Sequence, residues 1–205
     1  MKVMKLNTNP KINSGNSYLL LGAWNTIADI NALIDTGSDS YIVEEIEKLY
    51  TGVGKIPVEK IVLTHNHFDH MGGAISVKNK YSAKVYAKIY SGDVVDYIVN
   101  DGDVIKLAEY EFYVIHSPGH STDSICLYCE EEQVLFSGDT TLQIRNSYET
   151  YTKEYLETLR KLKKLKIKVI YPGHGDPITK NPEDLLSTTY KNVSESKIIL
   201  SQYVN

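Results

Sequence analysis

The chain has no apolar run near the roughly 18 residues that a membrane span requires, and no low-complexity tract. Neither sign of charge dominates: 22 Lys and Arg face 26 Asp and Glu, for a net charge of −4. That balance gives no overall attraction to nucleic acid or to an anionic membrane, so neither is an expected partner. The first 22 residues, MKVMKLNTNPKINSGNSYLLLG, lack an apolar stretch ahead of their polar middle. They do not read as a signal peptide, and the expected compartment is the cytoplasm. Cysteine is scarce, with only Cys126 and Cys129 in SICLYCEEE. A C-x-x-C pair suggests a redox couple or half of a zinc site. This segment alternates as a strand does, however, which sends residues three apart to opposite faces. No second pair completes a zinc cage, so both cysteines are expected to be packing residues.

What is present is an ordinary globular composition, 42% hydrophobic and 23% charged over 205 residues. That length suits a single domain spanning 1–205 with a sizeable core. The 16 tyrosines are scattered and read as packing and surface. SYLLLGAW (17–24) and INALIDTG (30–37) are strand-like, and 43–50 has apolar residues at helical spacing. KIVLT (60–64) is a short apolar run. Residues 71–80 read as a helix opened by Gly72 and Gly73, where backbones must approach closely. After the strand AKVYA (83–87) comes an irregular excursion over 88–103. A meander of four strands then spans 104–139. A helix over 152–166 presents Tyr155, Leu159, Leu162 and Leu165 inward, and its Lys/Arg-rich remainder is expected to be a solvated face. KVIYPGHGD (168–176) is a strand running into a loop, and 182–202 a terminal helix. Two rounds of strands capped by helices imply an α/β domain with helices outside packed sheets.

Histidine is also rare, six in all, and three fall in THNHFDH (64–70). Extended backbone there would put His65, His67 and Asp69 on one face, with His70 swinging away as a helix begins. Adjacent Asp69 and His70 diverge too far to share one tetrahedral ion with the others, so the spacing suggests two neighbouring ions. The remaining metal-capable residues are His120 in HSPGH, Asp139 in FSGD and His174 in YPGHG. Each lies on a glycine-containing loop directly after an apolar strand, as functional residues on one rim of a scaffold do. His116, at the end of YVIHS, is expected to pack rather than ligate.

H-x-H-x-D-H (65–70), P-G-H (118–120), G-D (138–139) and P-G-H-G (172–175), preceded by IDTG (34–37), resemble the metallo-β-lactamase superfamily. The resemblance implies a four-layer αββα sandwich with the site along one edge. It implies that His65, His67 and His120 hold one metal, that Asp69, His70 and His174 hold a second, and that Asp139 bridges them. Asp35 would fix the ligand loops by hydrogen bonds. The cofactors would be two divalent ions, zinc first, with iron or manganese as alternatives. Two ions about 3.5 Å apart bring a shared water towards neutral pKa for attack on a carbonyl or phosphoryl centre. Asp69 would orient it and handle its proton.

Within the superfamily, β-lactamases usually lack the bridging aspartate, and flavodiiron proteins carry glutamate where this chain has His67. Acyl-homoserine lactonases often carry tyrosine where this chain has Leu142. The large nucleases carry long insertions. Hydroxyacylglutathione hydrolases share every metal motif, but Arg145 here lacks the glycine that precedes theirs. The chain after His174 is also only about thirty residues long. A compact relative of those hydrolases, acting on a small thioester, ester or lactone, is the expected function, with Arg145 a candidate substrate contact. Two alternatives stay open: a persulfide dioxygenase with one iron on His65, His120 and Asp139, and a small phosphodiesterase or nuclease. Oligomeric state is not written in these residues.

Overall fold

A strand apolar on both faces belongs to a sheet covered on both sides, and several strands here are of that kind. The computed structural model describes residues 1–23 and 29–200. β1 (Lys2–Lys5), β2 (Tyr18–Leu21), β3 (Ala32–Ile34), β4 (Lys60–Val62), β5 (Lys84–Ala87) and β6 (Tyr97–Ile98) form a six-stranded sheet in that order. Its first three strands are antiparallel, and from β3 onward neighbours run parallel. β7 (Val104–Leu107), β8 (Tyr110–His116), β9 (Ile125–Cys129) and β10 (Val134–Gly138) make an antiparallel meander. β11 (Thr150–Thr152) leaves this sheet, and β12 (Val169–Pro172) returns to lie parallel to β10. β13 (Lys197–Ile199) pairs in parallel with β11 as a small separate ladder.

Strand alternation sorts the apolar side chains into three clusters, and these are the contacts between four layers. Leu19, Leu21 and Leu33 face outward from the first sheet onto Ile42 and Ile46 of α1 (Tyr41–Glu47) and Ala74 and Val77 of α3 (Ala74–Tyr81). Their neighbours Tyr18, Leu20, Ala32 and Ile34 point the other way, meeting Phe112, Ile125, Leu127 and Phe136 of the second sheet. The outer face of that sheet, with Tyr128 and Leu135, packs on Tyr155, Leu159 and Leu162 of α4 (Lys153–Leu162) and Leu186 and Val193 of α5 (Pro182–Ser194). The order is helix, sheet, sheet, helix: the αββα sandwich. Cys126 joins the outer cluster and Cys129 the inter-sheet one, both as buried free thiols, so the opposite-face expectation holds.

Several boundaries differ from the sequence reading. The helix expected over 71–80 is two helices, α2 (Phe68–Met71) and α3. The break falls at Gly72–Gly73, where a Cβ on Gly72 would lie 2.1 Å from the Ser38 carbonyl oxygen and one on Gly73 2.5 Å from that of Thr36. α1 begins at Tyr41, two residues before the apolar periodicity. α4 is capped by the Thr152 hydroxyl, which accepts from the Tyr155 N–H at 3.2 Å, and it ends at Leu162 rather than 166. The terminal helix stops at Ser194, and Lys197–Ile199 becomes β13, with Ile198 packed against the outer cluster. Its partner β11 had no strand signal in the sequence. The end of the expected first strand, Trp24, and the last two residues of the expected terminal helix lie outside the described residues.

Candidate metal centre

Each candidate ligand sits just beyond the C-terminal end of a strand, on one rim of the sandwich. Asp35 follows β3, the 65–70 cluster follows β4, His120 follows β8, Asp139 follows β10 and His174 follows β12. Glycines let these loops close. Gly138 adopts φ +48°, and a Cβ there would lie 2.6 Å from Thr64 Oγ1. A Cβ on Gly173 would lie 2.1 Å from Asp139 Oδ1. The β10–β12 register also shifts between Phe136 and Gly138, an irregularity that re-aims the strand end toward the cluster.

The donors converge. His65, His67 and His120 offer ligand atoms within 4.8 Å of one another, as do His65, His70 and Asp139, and also Asp69, His70 and His174. His67 Nδ1 lies 2.9 Å from His120 Nε2. His174 Nε2 lies 3.2 Å from Asp69 Oδ2. Asp139 stands between: its Oδ2 is 3.4 Å from His120 Nε2 and 3.5 Å from His174 Nε2, and its Oδ1 is 3.3 Å from His70 Nε2. A tetrahedral ion with bonds of about 2.0–2.1 Å spaces its donors about 3.3 Å apart, which these separations match. His65 Nε2, His70 Nε2 and Asp139 Oδ1 are buried with no hydrogen-bond partner among the described residues. Such orphaned atoms are costly unless a cation completes them, so the residues fit a metal.

Hydrogen bonding fixes which nitrogen faces inward. His70 Nδ1 lies 2.8 Å from Asp35 Oδ2, which turns Nε2 to the cluster. The same carboxylate accepts from the Thr64 N–H at 2.7 Å and the Thr64 hydroxyl at 2.8 Å. Asp35 thus ties β3 to the start of the histidine cluster, with its own backbone at φ 56°. Burial pulls the His65 imidazole down to about 4, which favours the neutral ring that can offer one nitrogen to a metal. Burial opposes charge on His70 too, but Asp35 and Asp139 outweigh it and raise the imidazole, the pull of two carboxylates on positive charge at the place a metal ion would take. Burial likewise works against the Asp139 carboxylate, and His70 beside it wins, holding it down at about 2.

Three supports carried no signal in the sequence reading. Asp123, buried, accepts from the Asn66 N–H at 2.9 Å and the Ser121 hydroxyl at 2.7 Å, fastening the His120 loop to the residue between His65 and His67. Asn16 donates its side-chain amide to the carbonyls of Pro172 (2.9 Å) and Gly175 (2.8 Å), holding the His174 loop. Gly15 lies flat against His70, where a Cβ would come within 2.6 Å of the ring. The available clue was NSGNS, a small polar run directly before a buried strand. His116 stays outside the donor groups, its Nε2 2.9 Å from the Thr122 carbonyl oxygen. Arg145 is exposed and does not line the cleft of about 320 Å³ that opens beside Asp139 and His174. Arg160 and Lys161 pair with Glu157 and Asp101, and Lys163 lies over the Tyr190 ring, as a solvated helix face would.

The profile of the metallo-beta-lactamase superfamily matches residues 11–91 and 86–174. The chain belongs to that superfamily. Among curated relatives, it is 30% identical to an atrochrysone carboxyl ACP thioesterase of Emericella nidulans, over 82% of this chain and 55% of that protein. It is 33% identical to a hydroxyacylglutathione hydrolase of Pelagibacter ubique, over 77% of this chain and 65% of that one. The chain spans about half the length of the first curated relatives it matches. Among solved structures, ETHE1 from Myxococcus xanthus superposes with a TM-score of 0.71 at 18% identity, covering 94% of this chain and 88% of that one. At that identity the superposition speaks for the superfamily fold alone. No helix among the described residues is long and apolar enough to cross a membrane.

Proposed function

We propose that this chain is a hydrolase of small thioesters, or of related esters and lactones, working at a two-ion centre. His65, His67 and His120 would hold one divalent ion and Asp69, His70 and His174 the other, with Asp139 within reach of both groups. Zinc suits this set of imidazoles and carboxylates, and iron or manganese would also be accepted by it. The observation that carries the reading is the reach of Asp139, whose two oxygens lie 3.3–3.5 Å from donors at both ends of the cluster. The thioesterase and hydroxyacylglutathione hydrolase relatives support a thioester as substrate.

When bound, such ions would supply Lewis-acid chemistry, a water of lowered pKa and a polarised substrate oxygen. The protein supplies the rest. Asp35 holds the His70 ring at fixed orientation. Asp69, about a quarter exposed at its side chain, faces both His174 and solvent. It is the group positioned to orient the attacking water and pass on its proton. No side-chain nucleophile is called on, and Cys126 and Cys129 are both buried in the core clusters.

The competing readings are a one-iron oxidoreductase acting on persulfides through His65, His120 and Asp139, and a phosphodiesterase. The absence of Lys and Arg from the cleft lining weighs against the latter, whose phosphate would call for them. The test is metal analysis of protein purified without added metal, with turnover on a thioester, a lactone and bis-p-nitrophenyl phosphate. About two ions per chain and thioester or lactone cleavage are expected, and Asp139→Ala should abolish turnover and loosen the metals. One tightly held iron with oxygen uptake on a persulfide would overturn the hydrolase reading.

A further inference from the structure

The cleft beside Asp139 and His174 has a floor that is built before any substrate arrives. Residues 141–144 alternate outward and inward: Thr141 and Gln143 are exposed, Leu142 is buried in the outer core cluster and Ile144 packs against it. Their backbone is pinned to both outer helices. The Tyr155 hydroxyl of α4 donates to the Thr141 carbonyl. From α5, the Thr189 hydroxyl donates to the Leu142 carbonyl at 2.6 Å and accepts from the Ile144 N–H at 3.3 Å, and the Asn192 amide donates to the Ile144 carbonyl at 2.7 Å. A segment so held loses little freedom on binding, and pre-organisation of this kind strengthens weak contacts. The cleft of about 320 Å³ falls at the small end of ligand-sized sites.

Its chemistry is uncharged apart from the metal donors. Beyond His120, Asp139 and His174, the lining consists of hydroxyl, amide and aliphatic groups, among them Thr140, Thr141, Leu142, Gln143 and Ile178. No Lys or Arg is among the lining residues, so away from the metal donors an anionic group lodged there would find no cationic side chain. Gln143 offers two donors and an acceptor, the complement of a secondary amide, and the Thr141 hydroxyl offers one of each.

Resting on the hydrolase reading, we propose that Thr141–Gln143 is a rigid ledge that binds the uncharged, amide-bearing arm of a thioester substrate. Glutathione-type arms, which carry free carboxylates, are disfavoured there. Gln143 is the specificity-determining residue.

The test uses two thioethers that cannot be hydrolysed, S-methyl-N-acetylcysteamine and S-methylglutathione, titrated into the metal-loaded protein and followed by NMR. The neutral amide compound should bind more tightly and shift the Gln143 side-chain amide and Thr141 resonances. Gln143→Ala should weaken it about fivefold to tenfold, the loss of one or two neutral hydrogen bonds. Gln143→Arg should reverse the preference toward S-methylglutathione. Tighter binding of S-methylglutathione by the wild type, shifts confined to residues away from 141–143, or an unchanged affinity in Gln143→Ala would each overturn the ledge. Turnover of S-acetyl-N-acetylcysteamine is measured in parallel. If the thioethers bind as expected and no thioester is cleaved, the hydrolase reading fails and the ledge stands.

Discussion

The two ends of the donor cluster are built differently. His70 is fully buried and its partner Asp35 is 2% exposed, while the side chains of His120 and His174 are 31% and 45% exposed. The first sheet supplies one end, the 65–70 segment, in which a buried carboxylate locks His70 although His67 is exposed, and the second sheet supplies the other, single candidate ligands on the loops after its strands. The difference separates two tasks. A buried, hydrogen-bonded imidazole fixes where an ion can sit, and an exposed one can admit substrate and adjust to it. The contrast predicts that damage to the first end shows up as lost stability even without metal, and damage to the second end only as lost binding.

The largest effect is expected at Asp35. Asp35→Ala leaves the Thr64 N–H and the His70 ring buried without their acceptor. Removing one member of a buried pair of this kind costs about 3–5 kcal/mol. Urea unfolding in the presence of a chelator reads that loss with metal binding out of the comparison. Asp35→Asn, which keeps one oxygen acceptor, should recover part of it. A loss below about 1 kcal/mol in Asp35→Ala would mean that the first end is not the rigid one.

Gly173 comes next, because it touches both ends. A Cβ there would press on Asp139 Oδ1 at 2.1 Å and on the His70 ring at 2.8 Å. Gly173→Ala should cost about 1–3 kcal/mol, the usual range for overpacking, and should lower metal content together with stability. Metal loss without any stability change would place the clash on the exposed side alone.

These supports show what the sequence could and could not convey. The convergence of the seven candidate donors and Asp35 was legible because few residue types carry metal chemistry, and they recur here at strand ends with glycines beside them. The layer order followed from resemblance together with apolar alternation, and Tyr18–Leu21 divides its side chains between two cores as a strand should. Asp123, Asn16 and Gly15 were not legible, because each acts on the backbone of a segment distant in sequence. Asp123 lies 57 residues from Asn66, and an aspartate in STDS reads as any turn residue would. β11 and β13 were missed for the same reason. Each is three residues long and is stabilised by the other, with no local pattern strong enough to announce either. Arg145, a suitable residue type near a motif, is exposed and is not among the residues that line the cleft.

Asp123 joins the two ends, so its removal should have an intermediate effect. In Asp123→Ala the Asn66 N–H and the Ser121 hydroxyl lose a buried acceptor, at a cost of about 1–3 kcal/mol. The larger consequence should be selective. The ion of His65, His67 and His120 should bind more weakly, and that of Asp69, His70 and His174 should be retained. Cobalt substitution followed by absorption spectroscopy distinguishes the two sites. Equal weakening of both would show that Asp123 supports the fold and not one end of the cluster.

The smallest stability effect is expected at His174. Its side chain is nearly half exposed, and it pairs with Asp69 and Asp139. Changes at exposed positions usually fall within about 0.5 kcal/mol. His174→Ala should therefore unfold in urea with the wild-type midpoint when chelator is present. Adding zinc should then separate them: the wild type gains stability from whatever binds the native state alone, and the variant gains less because one ion has lost a ligand. If His174→Ala is already destabilised in chelator by as much as Asp35→Ala, the two ends are equally structural. The exposure of His174 would then reflect only where the loop lies, and not the task that its histidine performs.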